Sequence, residues 1–213
     1  SLSTRRIFDA EKYRKKIKEW VPLSGPIDTI LDVGCGEGTY THFLREEFPG
    51  ARQVIGIDAS PAMIDIAKGS FRGINFKLES MDNISLEDET VDFVFSRLAI
   101  HYSEDLLKTM TEIARVTKPG GLFFLKDTHP FYATFLKKSL DYSKKENVRF
   151  KTQCDEDIEV IHPSFTFEEY INAISGAGWT LLSMHEQYGR GVAGVTTEPY
   201  KLPTSVYFIL KKQ

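Results

Sequence analysis

"LDVGCGEGTY", Leu31 to Tyr40, decides how this chain is read. It follows directly on an apolar run, and Gly34, Gly36 and Gly38 stand at alternate positions within it. A strand, a glycine-rich turn and a helix in succession let the backbone approach a ligand closely, with free amide N–H groups of the helix start aimed at it. The spacing departs from the dinucleotide fingerprint G-x-G-x-x-G, because Thr39 occupies the place of the third glycine. No Gly-Lys-Ser/Thr follows, so a phosphate loop is absent as well. Asp32, just before the turn, is badly placed for a pyrophosphate. It suits a ligand with a cationic end, such as an amino group, or it pins the turn by bonding its backbone.

Outward from this stretch, strand and helix patterns alternate. "TILDV" (29–33) and "QVIGID" (53–58) read as buried strands, with an amphipathic helix over 40–48 between them. Ser60 supplies a cap and Pro61 the favoured first position of the next helix. "INFKLES" (74–80) and "VDFVFSR" (91–97) are further strands. Ser103 is the expected cap of a helix running to about Val116 and stopped by "KPGG" (118–121), before a fifth strand over 122–127. This βαβα rhythm is that of a parallel sheet covered by helices on both faces. It breaks over 128–163, a mixture of aromatic, basic and acidic clusters that suits an inserted cap or lid. Thr166 and Glu169 then stand in capping-box spacing, and two strands, "TLLSMHE" and "SVYFILKK", end the chain. We read 213 residues as one domain: an N-terminal helical segment (1–27), a core (28–127), the insertion (128–163) and a C-terminal helix with a strand hairpin (164–213).

Together these segments resemble the class I S-adenosylmethionine-dependent methyltransferases. "LDVGCGEG" is similar to the family's first motif. Asp58 ends the second strand 24 residues after Gly34, where such enzymes place an acidic residue on the ribose hydroxyls. "ESMDNI" (79–84) follows the third strand, and Asp82 matches the residue that accepts from the adenine amino group. "VDFVFSRLAIHY" and "RVTKPGGLFFL" resemble the fourth- and fifth-strand motifs. The resemblance covers about residues 28–127. It implies a Rossmann-like, doubly wound α/β fold: a seven-stranded, mostly parallel sheet with an antiparallel last strand. It also implies S-adenosylmethionine as cofactor and S-adenosylhomocysteine as product. The cofactor residues would be Asp32, Gly34, Gly36, Gly38, Asp58, Ala59, Met63, Met81, Asp82, Ser96 and Leu98, with Met63 otherwise a core residue. The N-terminal helix (about 8–20) would close over the cofactor, with Tyr13 and Arg14 near its methionine end.

The acceptor side lies beyond strands four and five, at Ser96, Arg97, His101 and Tyr102 and at His129, Phe131 and Tyr132. His101 is the base candidate, since histidine titrates near neutrality. Tyr102, His129, Phe131 and Tyr132 are the substrate-binding candidates, and His162 faces the site if the insertion folds inward. His42 and His185 read as structural, and Cys35 as a small filler. The net charge of −3, from 27 basic and 30 acidic residues, provides no field for nucleic acid. "SRLA" stands where methyltransferases of DNA bases carry an Asp/Asn-Pro-Pro-aromatic motif. The basic cluster Lys137, Lys138, Lys144, Lys145, Arg149 and Lys151 runs into Asp155, Glu156, Asp157 and Glu159, which breaks any phosphate track. No apolar stretch reaches the roughly 20 residues of a membrane span. Cys35 and Cys154 form neither a metal-ligand spacing nor a disulfide framework, so a cytoplasmic protein is expected. A small-molecule acceptor is the favoured reading. Its rivals are a protein or RNA methyltransferase, encouraged only by the basic residues 1–20, a non-catalytic cofactor-binding domain and, last, a dehydrogenase.

Overall fold

Apolar runs with no polar alternation form strands when a sheet is buried on both faces, as parallel sheets are. Thr29–Val33 (β1), Gln53–Asp58 (β2), Asn75–Leu78 (β3), Val91–Arg97 (β4) and Thr117–Thr128 (β5) lie parallel in the order β3-β2-β1-β4-β5. The structure is a computed structural model that describes residues 2–151, 159–188 and 202–213. Asn147–Lys151 (β6) and Glu159–Pro163 (β7) pair as a separate antiparallel hairpin. Trp179–Tyr188 (β8) and Pro203–Lys212 (β9) complete the main sheet, β9 running antiparallel between β5 and β8. The sheet therefore has seven strands, with the last in the chain antiparallel, as the resemblance implied.

Among the described residues six helices flank it: Leu2–Trp20 (α1), Thr39–Glu47 (α2), Pro61–Ser70 (α3), Leu106–Val116 (α4), Pro130–Leu136 (α5) and Phe167–Gly176 (α6). Alternation along the strands divides the core in two. Leu31, Val33, Val94, Phe123, Leu125 and Phe208 face Met110 and Ile113 of α4 and Tyr170 and Ile174 of α6. Ile30, Phe93, Phe95, Phe124 and Tyr207 face Tyr13 and Ile17 of α1 and Phe43 and Leu44 of α2. The capping box at Thr166 is formed, its hydroxyl accepting from the Glu169 N–H while the Glu169 carboxylate accepts from the Thr166 N–H.

Two local expectations are corrected. Asp105, not Ser103, caps α4, accepting from the Lys108 N–H at 3.0 Å; Ser103 instead ends a 3-10 turn over Ile100–Tyr102. "KPGG" does not separate helix from strand but lies inside β5. Gly120 adopts φ +80° and a Cβ on Gly121 would meet Thr117 at 2.6 Å, so these glycines let the strand bulge between its Val91 and Phe93 pairings. Cys154, Asp155, Glu156 and Asp157 lie outside the described residues. Among the described residues, no helix is long and apolar enough to cross a membrane.

Candidate active site

The glycine turn sits at the carboxyl end of β1, the edge where open α/β sheets bind their ligands. All three glycines take left-handed backbone, with φ of 72°, 53° and 85°. Two are also required by close packing. A Cβ on Gly34 would lie 2.1 Å from Ala99 Cβ, and one on Gly38 would lie 2.7 Å from the Phe76 ring. Gly36 differs: nothing stands within 4 Å of the Cβ it lacks, so its face opens outward. The Gly36 N–H donates to Asp58 Oδ2 at 2.8 Å, and Asp58 Oδ1 accepts from the Ser60 N–H at 2.9 Å. Asp58 thus pins the turn, a task the sequence offered to Asp32. Asp32 is 1% exposed and accepts from the Thr41 hydroxyl of α2 at 2.7 Å. Burial pushes its carboxyl up to about 7, against the pull of that hydrogen bond. An open glycine face pinned by the Asp58 carboxylate fits a ligand that brings hydroxyls to it, as S-adenosylmethionine does.

The remaining cofactor candidates divide. Asp82, after β3, accepts from Lys108 Nζ at 2.8 Å and from the Ser80 hydroxyl, which hold its carboxyl below the ordinary range. Ala59 is exposed and Met81 is half-buried against the core. Met63 is exposed at the start of α3, so it is not the core residue it otherwise reads as. Leu98 takes φ 55° and donates its N–H to the Lys126 carbonyl at 2.8 Å, turning the chain off β4. Ser96 is wholly buried, and its hydroxyl donates to the Val33 carbonyl at 2.9 Å and ties β4 to β1. Tyr13 is buried in the core and accepts from Arg97 Nε at 3.0 Å, while Arg14 turns away to Glu47 of α2 and to Glu11. Cys35 packs with Ile64, Ala67 and Phe76, and burial pushes its thiol up, as suits a filler.

On the acceptor side, the missing Cβ of Gly34 admits Ala99 and so seats the 3-10 turn carrying His101 beside the glycine turn. His101 is 4% exposed, and its Nδ1 is hydrogen-bonded to Asp127 at the end of β5. Asp127 also accepts from the Tyr170 hydroxyl at 2.8 Å and from the Thr128 N–H at 2.8 Å. The His162 ring, delivered by β7, lies 4.0 Å from the His101 ring, Tyr102 lies 4.5 Å from His101, and the Tyr102 and His162 rings meet at 5.7 Å. Burial, and then the neighbouring His101, push His162 down to about 4. Sequence reasoning named His101 and His162 but passed over Asp127 and Tyr170. An acid closing an apolar strand was the available signal for Asp127, as it was for Asp58.

His129 and Tyr132 are built into the framework around α5. His129 is wholly buried, accepts from the Phe131 N–H at 3.2 Å through Nδ1, and meets Glu186 through Nε2 at 3.1 Å, so both nitrogens hold α5 in place. Tyr132 is buried under the same helix. Phe131 is exposed and, with Thr134, Phe135, Tyr142 and Leu202, lines an apolar cleft of about 420 Å³. Tyr102 is exposed beside the histidine pair. His42 stacks on Phe71 and His185 on Trp20, in keeping with structural roles.

Residues 31–125 match the family model described as a methyltransferase domain. The chain is 32% identical over 99 residues to a malonyl-[acyl-carrier protein] O-methyltransferase of Serratia marcescens, covering 46% of this chain and 38% of that protein. It is 33% identical over 112 residues to the protein of the same name from Yersinia pestis, covering 53% and 38%. The chain thus spans less than half the length of these relatives. Over nearly its whole length it superposes on an S-adenosylmethionine dependent methyltransferase from Mesorhizobium loti, with a TM-score of 0.71 at 22% identity, covering 93% of this chain and 96% of that one. Residues 31–125 thus match the methyltransferase-domain model, in a chain with the Rossmann-like fold of its S-adenosylmethionine-dependent methyltransferase neighbours.

Proposed function

We propose that this chain transfers a methyl group from S-adenosylmethionine to a small-molecule acceptor. The observation that carries the reading is the open face of Gly36, held in shape by Asp58 and backed by the buried carboxylate of Asp32. When bound there, S-adenosylmethionine supplies an electrophilic sulfonium methyl. Asp32 offers its carboxylate to the ammonium end, and Asp58 keeps the turn in shape and adds acceptor oxygens for the ribose. Asp82 offers an acceptor to the adenine. The chain's remaining work is to hold the acceptor in line and keep water out, which is catalysis by proximity.

We take the described parts of the segment 128–163, α5 and the β6–β7 hairpin, as the cover over the acceptor. Its hairpin β6–β7 brings His162 onto His101. The relatives' names favour a second reading, an acyl group carried on a protein.

Calorimetric titration with S-adenosylmethionine and S-adenosylhomocysteine tests the cofactor site. Micromolar binding is expected, weakened about 10- to 100-fold in Asp58→Asn through loss of a charged acceptor. No binding to folded protein freed of co-purified ligand sinks the reading. Release of S-adenosylhomocysteine with a free small molecule separates it from a binding-only domain. Release with malonyl-acyl-carrier protein alone favours the second reading.

A further inference from the structure

The buried contact of His101 with Asp127 engages one ring nitrogen, Nδ1. His129 with Glu186 shows what a structural pair looks like here: both ring nitrogens are consumed, one by the N–H of the helix it caps. His101 is built differently. Asp127 collects donors on both oxygens, the Thr128 N–H on Oδ1 and the Tyr170 hydroxyl on Oδ2. Burial and the adjacent Asp127 push the Tyr170 phenol well up, so it remains a donor. An aspartate carboxylate only accepts, which makes His101 Nδ1 the donor and leaves Nε2 as the other ring nitrogen.

We propose that Asp127 is a positioning residue that sets the tautomer of His101, and that His101 deprotonates a hydroxyl acceptor through Nε2. The inference rests on the methyl-transfer reading and narrows it, because carboxylates and amines carry a lone pair that attacks unaided whereas a hydroxyl must lose its proton. As the acceptor oxygen forms its bond to the methyl carbon, the methyl–sulfur bond breaks with its electron pair left on sulfur. The acceptor's O–H bond breaks, and its proton passes to Nε2. The imidazolium so formed is paired with Asp127 on β5, which also holds the Tyr170 hydroxyl of α6, and lies against the rings of neutral His162 on β7 and of Tyr102 on its own turn. Asp127 carries the compensating charge. At 4% exposure His101 is shielded from bulk water, which would otherwise compete for the same nitrogen.

Imidazole nitrogen NMR on the protein saturated with S-adenosylhomocysteine tests the positioning directly. His101 is expected as the Nδ1–H tautomer, converted to the other form or to a mixture in Asp127→Asn and restored in Asp127→Glu. A wild-type Nε2–H tautomer overturns the inference. The chemistry is tested by homocysteine release with catechol, 4-nitrophenol and primary alcohols beside matched benzoates and amines. Turnover of hydroxyl compounds is expected, with kcat about 100-fold or more lower in His101→Gln and Asp127→Asn, little change in KM for the cofactor, and a wild-type rise of kcat with pH that both variants lose. Turnover confined to carboxylates or amines, or no turnover of any hydroxyl probe, overturns the inference. Neither result touches the proposed function while the calorimetric binding stands, and a failure of that binding removes both.

Discussion

Two buried side chains near the carboxyl edge of the sheet work against each other as pH changes. Asp32 rises from 3.8 to about 7 on folding, chiefly through burial. Between those values the unfolded chain has released the proton that the folded chain retains, so stability falls as pH rises through the window. His162 falls from 6.5 to about 4, again chiefly through burial. Its contribution is whole above 6.5 and lost as pH drops toward 4. Each amounts to about 3–4 kcal/mol at full expression, so from about pH 4.5 to 6.5 these two slopes oppose one another. Urea melts across pH 4–8 are expected to give Asp32→Asn a stability that climbs more steeply with pH than the wild type. His162→Gln is expected to give one that declines. Parallel curves for all three proteins would refute the assignment. At this scale the glycines and Asp58 were legible in the sequence, because a turn at a strand end restricts residue type. The coupling of Asp127 to His101, 26 positions apart, was not.

Among the elements, α6 has the strongest terminal signal. Thr166→Ala removes the acceptor of the Glu169 N–H and the partner of the reciprocal bond, at a cost of about 1 kcal/mol. For a chain of this size that corresponds to a fall in Tm of about 2–4 °C. A fall of less than 1 °C by thermal melt would mean that tertiary contacts alone hold the helix start. The caps of α3 and α6 were readable, since Ser60, Pro61, Thr166 and Glu169 act on their own neighbours. The cap of α4 was misplaced by two residues because Ser103 and Asp105 both qualify locally. What separates them is the 3-10 turn, which ends on Ser103 and binds its hydroxyl to Thr109 at 2.8 Å. β6 and β7 went unrecognised for a related reason: their partners are each other across residues 152–158, and no tight turn signal joins them.

At the scale of the molecule, the sheet is gripped from two sides by cores of different make. On the α1 and α2 side aromatic rings meet in a run: Phe124 stacks on Phe95 with centroids 5.4 Å apart and meets Tyr207 at 5.7 Å and Tyr13 at 6.1 Å. Phe124→Ala leaves a cavity among these rings and is expected to cost about 3–5 kcal/mol in denaturant unfolding, a large share of the 5–15 kcal/mol typical of a domain. A cost under about 1 kcal/mol would mean that α1 closes the gap by moving in. The sequence by itself determined the parallel α/β core, the glycine turn and the acids around it. Each of these rests on short-range constraints: strand period, left-handed backbone and helix capping act within a few residues of one another. Only the tertiary structure decided which candidates share a site. Insertion of β9 beside β5, packing of α6 over that pair and delivery of β7 bring Asp127, Tyr170 and His162 to His101, while the same packing buries Ser96, His129 and Tyr132 in the framework. The physical reason is that side-chain burial and pairing depend on which surfaces meet, and those meetings join residues tens of positions apart.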